Sequence, residues 1–255
     1  REDFNIDPLA FWTINDPPDR QGLTEIRFVE GHYLFWDALR ARHPGLWIDN
    51  CASGGRRIDL ETCMRSVPLW RSDTSCSPGP PEWNQQQSAA ISQYLPLHTA
   101  SAWDINRYTF RSSGTGGLLC EADYLNPDFP LEPARALLAE IRDNQKYWYG
   151  DFYPLTPASS APDQFAAHQL HRSDLDSGIV LAFRRPECEL KGIILDLRGL
   201  AADHSYRFEF IDETGQARTT DTKFDICKRI HDLAVERYGI DPTDLIFDCL
   251  TFPLS

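Results

Sequence analysis

The sequence comprises 255 residues with 25 Lys and Arg against 38 Asp and Glu, which gives a formal net charge of −13 at pH 7. Hydrophobic residues make up 42% and charged residues 25%, a composition typical of a globular protein with a sizeable core, and it excludes long disordered tracts and collagen-like repeats. The acidic balance argues against a nucleic-acid partner, and the absence of an apolar run near ~18 residues argues against a membrane-spanning helix.

The first region, residues 1–149, repeats a strand, turn and helix pattern. Its apolar spacing predicts, in chain order, a helix over 23–42, a strand over 46–49, a short helix near 58–65, a strand over 67–70 and a helix over 131–148. Such a repeat is typical of a parallel α/β fold.

The second region, residues 150–211, contains short strand candidates separated by turn residues. We predict strands over 163–171, 178–183, 192–197 and 206–210, and a linker over 153–162. These spacings favour a β-sandwich or an antiparallel sheet. His168 and His171 form an HxxH pattern on a predicted strand, so we interpret them as surface or structural residues.

The third region, residues 212–255, has a different pattern. Apolar residues at helical spacing predict a helix over 221–238, and Leu245–Phe247 reads as a buried strand. A helix followed by a parallel-type strand does not continue an antiparallel sheet. We therefore treat this segment as a helix-strand tail.

The seven cysteines are odd in number, and none forms a CxxC pair. Free thiols in a reducing cytoplasm are therefore the favoured reading over a disulfide framework or a zinc site. No signal peptide is visible. The single methionine is Met64, so we expect the chain to be processed or cut from a longer one.

Two aspartates stand where predicted strands pass into loops. Asp3 follows the chain start, and Asp73 follows the strand-like run 67–70. Parallel α/β folds place functional residues at the carboxyl ends of strands, and glycoside hydrolysis requires two carboxylates. The alternative is that both are ordinary solvated or capping residues.

The segment Ser53–Gly55 follows a predicted strand. Two consecutive glycines let backbone approach a ligand closely and leave N–H groups available to hydroxyls. An ordinary strand-to-helix turn would explain the same residues.

Three segments together resemble the family 36 glycoside hydrolases, chiefly α-galactosidases. Arg1–Asn5 is similar to that family's nucleophile strand, Cys51–Asp59 to its Cys-x-Ser-Gly-Gly-Gly-Arg-x-Asp loop, and Trp70–Asp73 to its Trp-x-Ser-Asp acid/base strand. The three segments occur in the family's order. The resemblance extends over about residues 1–210.

The resemblance implies a retaining mechanism. Asp3 would be the nucleophile and Asp73 the general acid/base. Arg1 would donate to sugar hydroxyls in place of the family's lysine. The residues implied to line the sugar subsite are Asn5, Cys51, Ser53, Gly54 and Trp70. Trp103 would be a stacking platform or a core residue.

Two departures from the family pattern concern specificity. Arg56 replaces a glycine, and Thr74–Cys76 replaces an Asn-Thr-Asp run. The resemblance also implies the C-terminal half of a (β/α)8 barrel (residues 1–149), then a small antiparallel β-domain (150–211), then the tail (212–255). Because a closed barrel takes ~250 residues, we expect this chain alone to be a truncated, weakly active or inactive form.

The tail is similar to the pterin-binding domain of cobalamin-dependent methionine synthases. That resemblance implies a chimera, with Asp248 at a strand end as the one site residue.

Three functions stay open from the sequence. They are an α-galactosidase-like hydrolase, a non-catalytic carbohydrate-binding remnant and a fragment of a folate-dependent methyltransferase. For the first we expect no metal or organic cofactor, and an oligosaccharide or α-galactoside as partner, with homo-oligomer formation left open.

Overall fold

The computed structural model describes residues 1–201, 205–209, 211, 228, 232 and 235–236. Two compact units divide the chain, Arg1–Ala201 and Ala202–Ser255. All residues of the first unit are among those described. The predicted helix over 221–238 and strand over 245–247 lie outside the described residues, apart from isolated positions in the helix.

Six α-helices are described in the first unit, and they are distributed along residues 1–149. They are α1 Leu9–Asn15, α2 Leu23–Arg42, α3 Leu60–Cys63, α4 Pro81–Ile91, α5 Arg107–Ser113 and α6 Leu131–Asn144. The predicted helix over 23–42 is confirmed at both ends. The predicted helix over 131–148 is α6 followed by a short 3-10 turn over Gln145–Tyr147.

Short parallel segments alternate with these helices. Strand β1 (Glu2–Asp3) pairs in parallel with β2 (Asn50–Cys51), and β3 (Ala100–Ala102) pairs in parallel with β4 (Leu118–Cys120). Two isolated parallel bridges, Asp49 with Val67 and Trp70 with Thr99, connect the pairs. The segments thus neighbour one another in chain order, as consecutive strands of a parallel α/β fold do.

An antiparallel sheet follows the helices. It consists of β5 (Asp151–Pro154), β6 (Phe165–Arg172) and β7 (Ser177–Arg184), in that order. The sequence predicted β6 and β7 to within two residues at each end. β5 extends into the predicted linker over 153–162, because Tyr153 and Pro154 pair with Gln169 and His168.

Two strand predictions in this region are wrong. Residues 192–197 have irregular backbone, and so do residues 206–209, the described part of the predicted strand over 206–210. Ile193 and Ile194 are 38% and 67% exposed, so the apolar run that suggested a strand does not enter a core.

One hydrophobic core joins the α/β part to the antiparallel sheet. Its buried residues are Ala102, Phe110, Leu137, Ile141, Trp148 and Leu170. Five of them come from β3, α5, α6 and β6, and Trp148 follows the 3-10 turn after α6. The point between residues 149 and 150, where we placed a domain boundary, therefore lies inside one compact unit.

His168 and His171 belong to this buried sheet. They are 2% and 3% exposed, so the surface reading is wrong and the structural one holds. His168 Nε2 lies 3.1 Å from Thr115 Oγ1.

Helix α2 buries one residue, Trp36. The indole N–H of Trp36 donates to the carboxylate of Glu2 in β1. Glu2 also lies 3.4 Å from Arg57 Nη1 and 3.4 Å from His32 Nε2. This polar cluster holds β1 against α2. Among the described residues, no helix is long and apolar enough to cross a membrane.

Candidate active site at the carboxyl ends of the parallel segments

The predicted site residues lie where neighbouring parallel segments end. Asp3 is the last residue of β1, the turn 51–55 follows β2, and Asp73 begins a 3-10 turn (Asp73–Cys76) soon after Trp70. The parallel pairings Asp3 with Cys51 and Asp49 with Val67 put these ends on the same edge. Sequence positions that are far apart thus converge at the edge where parallel folds place functional groups.

Asp3 is held by charged contacts at a half-exposed position. Arg1 Nη2 donates to Asp3 Oδ2 at 3.2 Å, and Arg1 Nη1 donates to Asp49 Oδ2 at 2.9 Å. The Arg1 guanidinium lies 5.8 Å from the Trp70 ring centroid. Arg1 therefore contacts both Asp3 and the segment that leads to Asp73.

The turn after β2 is shaped by its small residues. Asn5 Oδ1 accepts from the Ser53 backbone N–H at 2.8 Å and from Ser53 Oγ at 3.0 Å. Ser53, Gly54 and Gly55 all have positive φ, of 54°, 60° and 76°. An added Cβ at Gly54 would lie 2.7 Å from the Asp73 carboxyl carbon, so only glycine lets Asp73 approach this turn.

Asp73 receives donors from its own segment. Trp70 Nε1 donates to Asp73 Oδ1 at 2.9 Å, and Cys76 Sγ lies 3.9 Å from the same oxygen. Asp73 is exposed, and the 3-10 turn that begins with it is capped by Ser72 Oγ, which accepts from the Thr74 N–H at 3.2 Å. Its carboxylate therefore faces solvent while one oxygen is oriented by two side chains.

Each of the two carboxylates has a thiol beside it. Burial raises the pKa of the Cys51 thiol; a hydrogen bond from the Gly54 N–H lowers it, and the charge and hydrogen bonding of Asp3 raise it further. Desolvation, followed by the charge and hydrogen bonding of Asp73, raises the pKa of Cys76. Both thiols are thus protonated at neutral pH and can donate to the carboxylates.

Cys51 is 3% exposed, whereas the sequence reasoning assigned it to the lining of a sugar subsite. Its position against Asp3 favours a supporting contact with that carboxylate. Arg1, Asn5, Ser53, Gly54 and Trp70 are all brought to this one edge by the contacts above.

The Trp70–Asp73 segment rests on a buried polar network that the sequence reasoning missed. Arg71 is 3% exposed and donates to Gln87 Oε1 at 3.1 Å, Ser88 Oγ at 2.9 Å and the Asn84 carbonyl at 3.1 Å, all on α4. Gln87 Nε2 in turn donates to Ser72 Oγ at 3.3 Å and to Thr74 Oγ1 at 3.0 Å. Arg71 and Gln87 thereby fix the residues on both sides of Asp73.

His98 completes this network. Arg71 Nη1 lies 3.0 Å from His98 Nδ1, and His98 Nε2 lies 2.8 Å from Ser92 Oγ. Burial, and then the charge of Arg71, lower the pKa of His98 to about 3, so the ring is neutral at pH 7. Because arginine has no acceptor, Nδ1 accepts from Arg71 and Nε2 carries the proton that is donated to Ser92.

The Arg71 partners are neutral acceptors. Burial lowers the pKa of Arg71 to about 9, which leaves the guanidinium charged at pH 7.

No signal in the sequence marked Arg71, because a lone arginine after a tryptophan reads as a surface charge. The polar run on α4, with three glutamines in a row, is the feature that could have indicated a buried polar face.

Trp103 contributes to the same edge. Its Nε1 donates to the Ser75 carbonyl at 3.2 Å, so it braces the turn that carries Asp73.

No group of three or more His, Cys, Asp or Glu side chains that could hold a metal ion occurs in the part of the chain that the structure describes.

Comparison with solved structures relates this fold to α-galactosidases. The chain is similar to the GH36 α-galactosidase AgaA from Geobacillus stearothermophilus, solved with raffinose, with a TM-score of 0.62 and 20% identity over 78% of this chain and 29% of that one. It is also similar to AgaB from the same organism (TM-score 0.60, 21% identity, 73% and 27% coverage). The α-galactosidase from Lactobacillus brevis matches with a TM-score of 0.57 and 18% identity over 71% and 26% of the two chains.

A curated relative gives a shorter match. Alpha-galactosidase 1 of Pediococcus pentosaceus is 29% identical over 73 residues, which are 29% of this chain and 10% of that protein. No family model matches the chain. The chain thus spans less than a third of these relatives, and it shares the fold of part of a GH36 α-galactosidase.

Proposed function

We propose that this chain carries the catalytic residues of a retaining α-galactoside hydrolase. The observation that carries the proposal is that Asp3 and Asp73 both approach the stretch Cys51–Gly54, from the two segments that flank β2. Asp3 approaches it through Cys51, and Asp73 approaches it at Gly54. Glycoside hydrolysis needs two carboxylates at one site.

The roles follow from the surroundings of each carboxylate. Asp3 is paired with Arg1, whose guanidinium lies 3.2 Å from one carboxylate oxygen and orients the carboxylate of the proposed nucleophile. Asp73 accepts from Trp70 and is exposed, so it can exchange protons with a leaving group and then with water. In this scheme Asp3 attacks the anomeric carbon, and Asp73 first protonates the departing oxygen and then deprotonates the attacking water.

Sugar recognition would come from the groups around the pair. Arg1, Asn5, Ser53, Gly54 and Trp70 present donors, an aromatic ring and open backbone at this edge. The α-galactoside itself is inferred from the relatives, whose names identify them as α-galactosidases. The parallel segments would then be the C-terminal part of a (β/α)8 barrel.

Release of p-nitrophenol from its α-galactoside tests the proposal. The unaltered chain should release it at a low rate. Asp3→Asn should lower kcat/KM by about 10³-fold, whereas Asp73→Asn should lower mainly kcat, because p-nitrophenolate departs without an acid but the attack of water needs a base. Asp7→Asn is the matched control, since Asp7 is an exposed aspartate beyond the strand end and should leave the rate unchanged. Galactose binding by calorimetry without any release would instead identify a carbohydrate-binding remnant.

Two further assignments are proposals from the sequence. The first is that the tail, residues 212–255, has a separate origin, which is supported by a second compact unit that starts at Ala202. The resemblance of the tail to a pterin-binding domain predicts that it binds methyltetrahydrofolate, and calorimetry can test this. A cytoplasmic location is supported by the free thiols of the five described cysteines.

A further inference from the structure

An open cavity lies between the loop after α4 and the antiparallel sheet. It has a volume of about 200 Å³. Two of its bordering residues, Ser92 and Thr115, precede β3 and β4, whereas Asp3 and Asp73 lie where parallel segments end. The cavity is therefore at the opposite edge of the parallel segments from the candidate active site.

This cavity has a buried floor and an exposed rim. Trp148 and Leu170 border it from the hydrophobic core and are 8% and 3% exposed. Tyr94 is 82% exposed, and Gln93 and Asp151 are exposed beside it. A small molecule can thus enter from solvent and meet aromatic surface together with polar groups, a combination typical of ligand sites.

Ser92 brings an unused hydrogen-bond donor to the cavity. It is partly exposed, and its Oγ lies 2.8 Å from His98 Nε2. Because His98 Nδ1 accepts from Arg71, Nε2 carries the proton and Ser92 Oγ is the acceptor in this contact. The hydrogen of the Ser92 hydroxyl has no acceptor among the residues that the structure describes. A ligand that carries an acceptor would satisfy it.

The polar groups together require a ligand that both accepts and donates hydrogen bonds. Ser92 needs an acceptor, whereas the Asp151 carboxylate, which accepts from the Tyr153 hydroxyl at 3.5 Å, has lone pairs left for a donor. An alkylammonium cation has no acceptor for Ser92. An anion would be repelled by Asp151 and by the net charge of −13. Uncharged hydroxyl groups meet both requirements.

The size of the cavity limits the ligand further. A cavity of roughly 150 Å³ holds one benzene ring, so a volume of about 200 Å³ suits one six-membered ring with its substituents. The partly exposed Phe152 and the exposed Tyr94 supply apolar surface for the face of such a ring.

We propose that this cavity binds one neutral pyranose sugar, at a site separate from the candidate active site. One sugar hydroxyl accepts from Ser92, another donates to Asp151, and the C–H face of the ring lies on Tyr94. The site goes beyond the proposed hydrolase function and does not require it. Because His98 contacts Ser92, a bound sugar changes the surroundings of the His98 ring.

The imidazole of His98 therefore reports on occupation of the cavity. In the nitrogen-15-labelled chain, methyl α-galactoside should shift the His98 ring signals in a saturable manner. Tyr94→Ala should weaken the apparent affinity about tenfold, and Ser92→Ala should weaken it as well. Tyr124→Ala is the matched control, since Tyr124 is 72% exposed and lies outside the cavity, and it should bind as the unaltered chain does.

Three results would overturn the site. They are no shift in the unaltered chain, an affinity in Tyr94→Ala or Ser92→Ala equal to that of Tyr124→Ala, and tighter binding of tetramethylammonium than of the sugar. The last would show that the cavity takes cations.

Release of p-nitrophenol from its α-galactoside separates this site from the catalytic pair. Tyr94→Ala should release it at the unaltered rate, whereas Asp3→Asn should lose release and keep the His98 shift. If the unaltered chain releases nothing but the shift depends on Tyr94, the hydrolase proposal fails and the cavity site stands. If release is normal and the shift persists undiminished in Tyr94→Ala, the sugar binds at the catalytic edge and the cavity site fails.

Discussion

The two candidate catalytic residues rest on very different supports. Asp3 is carried by β1 against α2, a 20-residue helix whose buried residue is Trp36. Asp73 is carried by a segment whose Arg71 is buried against α4 and His98. The first support combines the partly exposed ion pairs of Arg1 with the largely buried contacts of Glu2, and the second is a buried hydrogen-bond network around one arginine.

The exposed surfaces of the two regions differ in the same way. Large apolar side chains of α1, α2 and the segment before them are exposed by 36% or more, among them Phe4, Ile6, Leu9, Phe11, Ile14, Ile26, Phe28, Val29, Leu34 and Phe35. By contrast, α5 and α6 bury Phe110, Leu137 and Ile141. Most of the apolar burial that stabilises the fold therefore lies in the region of α5 and α6, on the side of Asp73. The proposed chemistry, however, needs both Asp3 and Asp73.

The largest difference should appear when one phenylalanine is removed from each region. Phe110→Ala empties a fully buried position and should lower the free energy of unfolding by about 4 kcal/mol. Phe35→Ala removes a ring that is 53% exposed and should change it by less than about 0.5 kcal/mol. Urea denaturation measures both, and similar losses would show that the two regions are equally packed.

The next largest effect concerns the network beneath Asp73. Arg71→Ala leaves acceptors on Gln87, Ser88 and His98 unpaired in a buried site, and should cost about 3 kcal/mol. Arg135→Ala, on an exposed pair with Glu132, is the control and should have no measurable effect. Denaturation curves that coincide for Arg71→Ala and the unaltered chain would show that the network contributes nothing.

Low pH should lower the free energy of unfolding, because a buried histidine is held neutral in the folded chain. Burial, and then the charge of Arg71, lower the pKa of His168 to about 4. Because the unfolded chain binds this proton near pH 6.5 and the folded chain does not, stability is present above pH 6.5 and is lost as pH falls toward 4. His168 alone should cost on the order of 2 kcal/mol between pH 7 and pH 5.

A variant isolates that contribution. His168→Gln should give a shallower fall in thermal midpoint between pH 7 and pH 5 than the unaltered chain. His43→Gln, at an exposed position, should keep the original slope. An identical slope in all three proteins would mean that His168 is not held neutral by burial.

The sequence predicts elements with a regular apolar pattern well, and it predicts elements whose buried face is polar poorly. Helix α2 follows from its apolar spacing, and β6 and β7 follow from short runs of strand-forming residues that are bounded by turn residues. Helix α4 was missed because Glu82, Gln85 and Ser88 form its buried face. Strands β3 and β4 have three residues each, too short for a periodic signal.

Some residues of the candidate site could be predicted from the sequence, and others could not. Asp3, Asp73 and the turn 51–55 were found because their motifs are local in sequence. The Arg71–Gln87 contact joins residues 16 positions apart, and the Trp103–Ser75 contact joins residues 28 positions apart. Neither pairing leaves a local pattern, so only the folded arrangement brings them together.

Azide rescue of Asp3→Gly tests most directly whether Asp3 is the nucleophile of a retaining hydrolase. In the unaltered chain Asp3 would attack the anomeric carbon of p-nitrophenyl α-galactoside; in the variant azide can enter the space it leaves. We predict no release of p-nitrophenol by Asp3→Gly in buffer, recovery of release with added azide, and β-galactosyl azide as the product. Release at the unaltered rate without azide, or failure of the unaltered chain to release p-nitrophenol, would contradict this assignment.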